Sequence, residues 1–262
     1  MILITGAKGF IGSNLLKKYP DAITIDQEEC FRELNNIHWK DIEKVYHLGA
    51  LSSTTETNIN SIHHYNIAFT LSLFEHCIEE KIPVAYASSA SVYGLSKDYS
   101  MNPLNYYALS KATIDYWVHD NKNRFSNIVG YRFYNVYGRG EDHKGNQASP
   151  VHQFTRQALQ NGIINVFDGS ENYIRDFVCV EDCIKCMSKE MPSGIYDVGT
   201  SNPISFLQVA EIIASKYDSK INIIPFPEHL KGKYQDFTSA QKHFDISFTT
   251  VEQWIGENSG KI

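Results

Sequence analysis

The chain has 262 residues, 42% of them hydrophobic, with a formal net charge of −6. That length supports a large core, either as one domain or as a main domain with a smaller lobe. The acidic balance leaves no electrostatic footprint for nucleic acid, no basic run marks a membrane surface, and no apolar stretch approaches the ~20 residues of a membrane span.

Ile2-Leu3-Ile4 reads as a buried strand, and Met1 before it lacks the basic leader of a signal peptide. A helix is predicted over 10–18 and a second strand over 22–25. The span from Gln27 to Lys44 is short for two crossovers, so helices and an edge strand near Ile37-His38-Trp39 must be compressed there. A strand at 45–48 is followed by a Ser/Thr loop and a helix over 65–80. Val84-Ala85-Tyr86-Ala87 forms a strand ending in Ser88-Ser89, Tyr106 to Asn121 a long helix, and 128–131 another strand. Short apolar runs between amphipathic helices indicate an α/β fold, a Rossmann-type doubly wound parallel sheet.

After Asn135 the pattern is less regular, with helices near 153–161 and 206–216 and no flexible linker or repeat. We therefore expect residues 1–140 to be mainly a dinucleotide-binding domain. Residues 141–262 would be mainly a smaller substrate-binding lobe, interleaved with the sheet. Among the five cysteines, Cys179 falls in an apolar strand and Cys183 and Cys186 on the next helix. No metal site is expected from them, and free thiols fit a reducing cytoplasm. His63-His64 reads as surface or packed residues rather than ligands.

Thr5-Gly6-Ala7-Lys8-Gly9-Phe10-Ile11-Gly12 follows the first strand and opens the first helix. Glycines there let the backbone turn tightly and approach a pyrophosphate resting on helix N-terminal amides. Three glycines alone could be an ordinary turn, but Asp26 ends the second strand about twenty residues beyond Gly6, where a carboxylate can accept from an adenosine ribose. Asp26 favours NAD because it repels a 2′-phosphate, whereas Arg32 lies close enough in sequence to offset it. The cofactor is therefore NADP or NAD.

Tyr107 and Lys111 stand at i and i+4 on one helix face. A phenol of pKa ~10 is a poor base at neutral pH, and a neighbouring ammonium is expected to lower it. Tyr107 would then take a hydroxyl proton while hydride leaves the carbon, with Lys111 also reaching the nicotinamide ribose and Ser89 bonding the same oxygen. Tyr-x-x-x-Lys alone is common on solvated helices. Downstream of a dinucleotide loop and a Ser-Ser strand end it is specific.

On Gly6, Gly9, Gly12, Ser89, Tyr107 and Lys111, the chain resembles the extended short-chain dehydrogenase/reductases, which act on nucleotide sugars. Ser91-Val92-Tyr93-Gly94 and Arg132-Phe133-Tyr134-Asn135-Val136-Tyr137-Gly138 are further patterns of that family. The resemblance narrows to the ADP-L-glycero-D-manno-heptose 6-epimerases through 47–56, His143-Lys144-Gly145-Asn146-Gln147-Ala148-Ser149, 167–172 with Arg175-Asp176-Phe177, and Ile224-Pro225-Phe226-Pro227 followed by 230–235. The chain departs from that branch in being shorter between Asp26 and Val45 and at its C-terminus.

The resemblance implies a tightly bound cofactor held by Gly6, Gly9, Phe10, Ile11, Gly12, Asp26, Gln27, Leu48, Gly49, Ala50, Ser52, Asn66 and Lys111. It implies nucleotide-sugar contacts from Ser52, Ser89, Asn135, Asn146, Phe167, Asp168, Gly169, Ser170, Arg175 and Tyr234. It makes Lys144 a second catalytic group, although Lys144 reads equally as a phosphate ligand. Without the resemblance, Arg175 reads as a surface ion pair with Asp176 or Glu171. A homo-oligomer is expected.

The activity implied is C6 epimerisation of an ADP-heptose, in the sugar chemistry of lipopolysaccharide, through a transient keto-sugar. Another NDP-sugar 4-epimerase or reductase of the same family is the alternative. A dehydratase would carry an acidic pair where Ser91-Val92-Tyr93 stand, and a non-catalytic cofactor sensor would not need the intact Ser89/Tyr107/Lys111 set.

Overall fold

The computed structural model describes residues 1–228 and 238–258. In chain order the elements are β1 (Ile2–Thr5), α1 (Phe10–Leu16), β2 (Ile23–Ile25), α2 (Cys30–Asn35), β3 (Lys44–His47), α3 (Ile59–Ile62), α4 (Phe69–Glu79), β4 (Val84–Ser89), α5 (Tyr106–Asn121) and β5 (Ile128–Phe133). Then come β6 (Asn135–Tyr137), α6 (Pro150–Asn161), β7 (Ile163–Phe167), β8 (Ile174–Arg175), β9 (Phe177–Cys179), α7 (Val180–Met187), β10 (Gly194–Val198), β11 (Ile204–Ser205), α8 (Phe206–Tyr217), β12 (Lys220–Ile224) and α9 (Val251–Glu257). The chain divides into two compact units. One comprises 1–94, 101–132 and 187–196, the other 95–100, 133–186 and 197–262.

The first unit is built on a six-stranded sheet in the order β10-β5-β4-β3-β1-β2. It is a parallel Rossmann-type sheet, as the sequence pattern indicates. Chain order reverses at β1, with β2 on one side and β3 on the other, and ligands of such sheets bind beyond the strand ends at that switch point. The strands read as continuous apolar runs because helices cover both faces. Leu3, Val45, Val84 and Ile128 are buried from the strands, and Leu73, Phe74, Ile114 and Val118 from the helices.

Two features of this unit differ from expectation. No strand forms at Ile37–Trp39. The segment from Gln27 to Lys44 holds, before β3, only the six-residue α2 and two 3-10 turns, at Gln27–Glu29 and Trp39–Asp41. It is too short to cross the sheet, add a strand and return. Ile37 and Trp39 pack against the core instead, with Trp39 stacked 4.8 Å from the His76 ring. The helix expected from 65 begins at Ile59, where Asn58 accepts from the Ser61 amide at 3.1 Å. It then runs through a π-helical turn, His63–Ala68, into α4. Such turns are rare and occur often at functional sites; this one carries the buried Asn66. His63 and His64 are exposed, the latter tilted against Phe31.

In the second unit the core gathers Val151, Phe154, Phe177, Val209, Ile213 and Trp254 around three two-stranded sheets, β11-β8, β12-β7 and β6-β9. α6 begins where Ser149 caps the His152 amide and Pro150 takes the first turn, which fits Pro because no backbone donor is needed there. α8 opens on a reciprocal Ser205/Gln208 capping box. Cys179 lies in β9 and Cys183 and Cys186 in α7, all buried.

Candidate active site

The loop after β1 shows why glycine is needed there. Gly6 has φ +71°, a conformation that L side chains rarely adopt, and a Cβ on it would meet the Gly49 Cα at 2.5 Å. The loops leaving β1 and β3 therefore lie against each other at the switch point. A Cβ on Gly12 would fall 2.0 Å from the Gly6 carbonyl, so α1 approaches the loop closely. No side chain caps α1 at Gly9. Asp26, just past β2, accepts from the Lys8 amide at 3.1 Å, which ties the carboxylate to this loop. Gln27, Phe31, Arg32, His64 and Tyr65 line a cavity of about 310 Å³, and Arg32 is ion-paired with Glu29. A glycine cradle, an uncapped helix start and a carboxylate beyond the second strand fit a dinucleotide.

Beneath this loop runs a buried hydrogen-bond chain that fixes a tautomer. Thr70 donates to the Asn66 carbonyl at 2.8 Å, so its oxygen accepts from His47 Nε2, also at 2.8 Å. Nδ1 then accepts from the Thr5 hydroxyl at 2.7 Å, whose oxygen takes the Gly49 amide. Burial first, and the Lys111 charge second, lower the His47 pKa to about 3. Asn66 spends its amide on the Leu51 backbone (2.8 and 3.0 Å) and on Ser110 Oγ (3.0 Å), and Ser110 donates to the Tyr107 carbonyl at 2.7 Å. Asn66 thus braces the loop after β3 against α5. Ser52, on that same loop, is exposed.

α5 carries the proton-transfer pair. Asn105 caps it by accepting from the Ala108 amide at 2.9 Å. Ser89 ends β4, and its hydroxyl bonds the Tyr107 phenol. Lys111 is buried, donates from Nζ to the Ala87 carbonyl at 2.7 Å, and places Nζ 5.9 Å from the Tyr107 ring centroid. The three residues are brought together as expected, but the expected lowering of the Tyr107 pKa is not found. Burial pushes the phenol up, and Asp115 adds to this, outweighing the Ser89 bond. Burial lowers Lys111 to about 8 against the opposing pull of Asp115. Desolvation wins because the charged form of either group loses water and gains little.

Sequence reasoning missed Asp115. It is 1% exposed and accepts from Tyr86, Ser88 and Arg132. Its position eight residues past Tyr107, on the same helix face, was the available signal.

In the second unit, Asn135 opens β6, its amide bonded to the Asp176 carbonyl at 3.0 Å. Lys144 lies in a 3-10 turn and ion-pairs at 3.0 Å with Glu141, a fully buried carboxylate that also takes the Ser149 amide and hydroxyl at 2.7 Å each. Asn146 on the same turn is exposed. Phe167 to Ser170 form a tight turn with Gly169 at φ +81°, Ser170 buried beneath it and the Phe167 ring 5.7 Å from Phe226. Arg175 is not a surface residue. It is 5% exposed, with its guanidinium 5.5 Å over the Phe206 ring. Asp176 is occupied by the amides of Thr200, Ser201 and Ala240. Tyr234, with the 230–235 pattern, lies outside the described residues. A cavity of about 400 Å³ in this unit is lined by Phe177, Thr200, Lys242, Phe248 and Thr250 among others and, among the described residues, by none of the expected ones.

A switch-point glycine loop, a carboxylate after β2 and a Ser/Tyr/Lys set at the end of β4 define a dinucleotide-dependent class. The chain belongs to the NAD dependent epimerase/dehydratase family, whose profile matches residues 2–199. Within it, the chain is 36% identical to the ADP-L-glycero-D-manno-heptose-6-epimerase of Alkalilimnicola ehrlichii, over 97% of this chain and 95% of that protein. It is 34% identical to the enzyme of that name from Brachyspira hyodysenteriae, over 92% and 89%. The crystal structure of Helicobacter pylori ADP-L-glycero-D-manno-heptose-6-epimerase superposes with a TM-score of 0.79 at 27% identity, covering 98% of this chain and 94% of that one. The fold is shared with Thermus thermophilus UDP-glucose 4-epimerase in complex with NAD, at a TM-score of 0.75, 20% identity and coverages of 92% and 90%.

Proposed function

We propose that this chain is an NAD-dependent nucleotide-sugar epimerase that inverts C6 of an ADP-glycero-manno-heptose through a transient 6-keto sugar. The observation that carries this reading is the Ser89–Tyr107–Lys111 arrangement at the end of β4, in the same sheet as the glycine loop. Similarity to heptose epimerases along nearly the whole chain supports the choice of sugar.

A bound nicotinamide cofactor would supply the hydride acceptor for oxidation of the sugar and the hydride donor for its re-reduction. Tyr107 takes the proton of the C6 hydroxyl as the carbonyl forms and returns it when the alcohol is restored. Ser89 bonds the same oxygen and holds it against the phenol. Lys111, mostly ammonium below pH 8, is the cation on that face that offsets a phenolate. Lys144 serves as a second acid–base group on the sugar. Asn135, Asn146, Phe167 to Ser170 and Arg175 contact the nucleotide sugar, a guanidinium being well matched to a diphosphate.

The cofactor is NAD rather than NADP. Asp26 repels a 2′-phosphate, and Arg32, which could have attracted it, is paired with Glu29. Gly6, Gly9, Phe10, Ile11 and Gly12 would hold its pyrophosphate, and Gln27, Leu48 to Ala50 and Ser52 would surround the rest.

The test incubates purified enzyme, without added cofactor, with either C6 epimer of the ADP-heptose in D2O. Conversion to the other epimer without deuterium at C6 is expected, since the hydride never exchanges with solvent. No conversion by protein shown by mass spectrometry to carry NAD would overturn the reading. Interconversion of UDP-glucose and UDP-galactose instead would make it a 4-epimerase.

A further inference from the structure

Lys144 is joined twice to Glu141. Its amide donates to the Glu141 carbonyl at 2.9 Å, and Nζ donates to Oε2 at 3.0 Å. The Glu141 side chain is fully buried and that of Lys144 is 25% exposed, so the pair runs from the interior to the surface. Three further donors converge on the same carboxylate. The Gly138 amide and the Ser149 hydroxyl reach Oε1 at 3.2 and 2.7 Å, and the Ser149 amide reaches Oε2 at 2.7 Å. These four donors fit the ionised form, which only accepts. Ser149 Oγ in turn accepts from the His152 amide at 3.2 Å and so opens α6. The far side of the turn is held by the same helix, where Gln153 donates to the Asn146 and Ala148 carbonyls at 3.2 and 2.6 Å. Capping α6 needs only the Ser149 oxygen, and a buried ion pair is weak evidence for stability. The contact between Glu141 and Lys144 therefore calls for another account.

We propose that Glu141 is a positioning residue that holds Lys144 Nζ in one place before the nucleotide sugar arrives. This rests on the reading of Lys144 as an acid–base group. A lysine stem is long and flexible, and fixing it at the moment of reaction costs conformational entropy. Glu141 supplies that order during folding, through a carboxylate whose own place is set by the Gly138 and Ser149 amides. Order of this kind lowers the barrier rather than strengthening ground-state binding, so its loss falls on kcat. Glu141 is buried beneath the turn and meets no reacting atom. The proton that Lys144 exchanges with the sugar passes between Nζ and a sugar oxygen, one N–H bond for one O–H bond, and Glu141 stays a carboxylate throughout.

The test reads Lys144 directly, by 1H–15N NMR of protein labelled at the lysine ζ-nitrogens, with the signal assigned by Lys144→Met. At low temperature and mildly acidic pH, an ammonium held by a carboxylate exchanges with water slowly enough to be seen, whereas exposed ones broaden. The Lys144 signal should be present in the unaltered protein and lost in Glu141→Gln, which keeps the size and one acceptor oxygen. Its absence from the unaltered protein, or its persistence in folded Glu141→Gln, overturns the proposal. A double-mutant cycle joins position to turnover. Glu141→Gln should lower kcat about tenfold or more, change KM less than about twofold, and cost nothing further in Lys144→Met. An equal loss in both backgrounds, or a rise in kcat when Lys144 is released, overturns the proposal. Ser149→Ala removes a hydroxyl from the same carboxylate and the cap from α6 but leaves the Lys144 contact, so stability in urea should fall and kcat should hold. A kcat loss there as large as in Glu141→Gln would mean that the seating of α6 carries the effect, and would also overturn the proposal. Should Glu141→Gln fail to fold, Glu141→Asp, which keeps the charge but draws it back from Nζ, is read in the same way. If Lys144→Met turns over normally, the acid–base reading of Lys144 falls, and the NMR signal still decides whether Glu141 holds it.

Discussion

The Asn66 side chain donates to Ser110 Oγ at 3.0 Å while its oxygen holds the Leu51 amide, so one buried amide joins the loop after β3 to the helix of Tyr107 and Lys111. Asn66→Ala strands the Leu51 amide and loosens α5. Leaving a buried group unsatisfied costs about 1–3 kcal/mol. We expect a loss of that size in urea denaturation, together with weaker NAD binding by calorimetry. Unchanged values for both would show that the amide is replaceable by water.

Tyr107→Phe should retain the fold and cofactor binding and lose turnover by roughly 10²–10⁴-fold, the range for a general acid–base group. Single-turnover measurements on protein checked for bound NAD test this. Retention of more than about a tenth of the rate would remove Tyr107 from the mechanism.

His47 makes stability depend on acid. Its folded pKa is about 3, below the ~6.5 of an exposed imidazole, because burial disfavours the cation. The group therefore stabilises the fold fully above pH ~6.5, and that stabilisation is lost as pH falls toward 3, by about 1.4 kcal/mol per unit. His47→Gln keeps one donor and one acceptor without titrating. Its denaturation midpoint should be the flatter of the two between pH 6 and 4.

Arg175 and Lys144 are separable by kinetics. Arg175→Lys keeps the charge and loses the planar fork, so KM for the nucleotide sugar should rise ~10-fold or more with little change in kcat. Lys144→Met should cut kcat, unequally in the two directions of epimerisation. A raised KM with normal kcat in both directions would make Lys144 a phosphate ligand bound at Glu141 rather than an acid–base group.

Cofactor choice is measured by the affinities for NAD+ and NADP+ of protein stripped of cofactor. NAD+ should bind at least ~10-fold tighter. Asp26→Asn should narrow the gap by weakening NAD+ and removing the repulsion of the 2′-phosphate. Tighter NADP+ binding by the unaltered chain would mean that Arg32 exchanges Glu29 for the phosphate.

Much of the sheet was legible because its signals are local. Asn105 before Tyr106 marks a helix start, and the helix runs to Asn121 as read. The Tyr107/Lys111 spacing and the glycine loop are likewise carried within a few residues. Ser149-Pro150 was an equally good start signal, and α6 begins there rather than at 153. The π-helical turn at His63–Ala68 was not legible, since its widened hydrogen bonding is set by where Asn66 and Thr70 find buried partners from β3, its loop and α5. Nor was the pKa direction of Tyr107. Spacing shows that an ammonium is near, whereas burial, a property of the whole packed unit, decides which charge state is favoured.

The shortened span between Gln27 and Lys44 also decides where the sheet stops. With no further strand laid down, β2 becomes its outer margin, and outer margins are where one chain can zip onto another through unpaired backbone. β2 is three residues long and already bonded to β1 along its inner side, which leaves too short a rail for such pairing. A compact crossover thus carries its own protection against edge-to-edge association. Residues added to lengthen β2 would be a risk to solubility before they were a risk to catalysis.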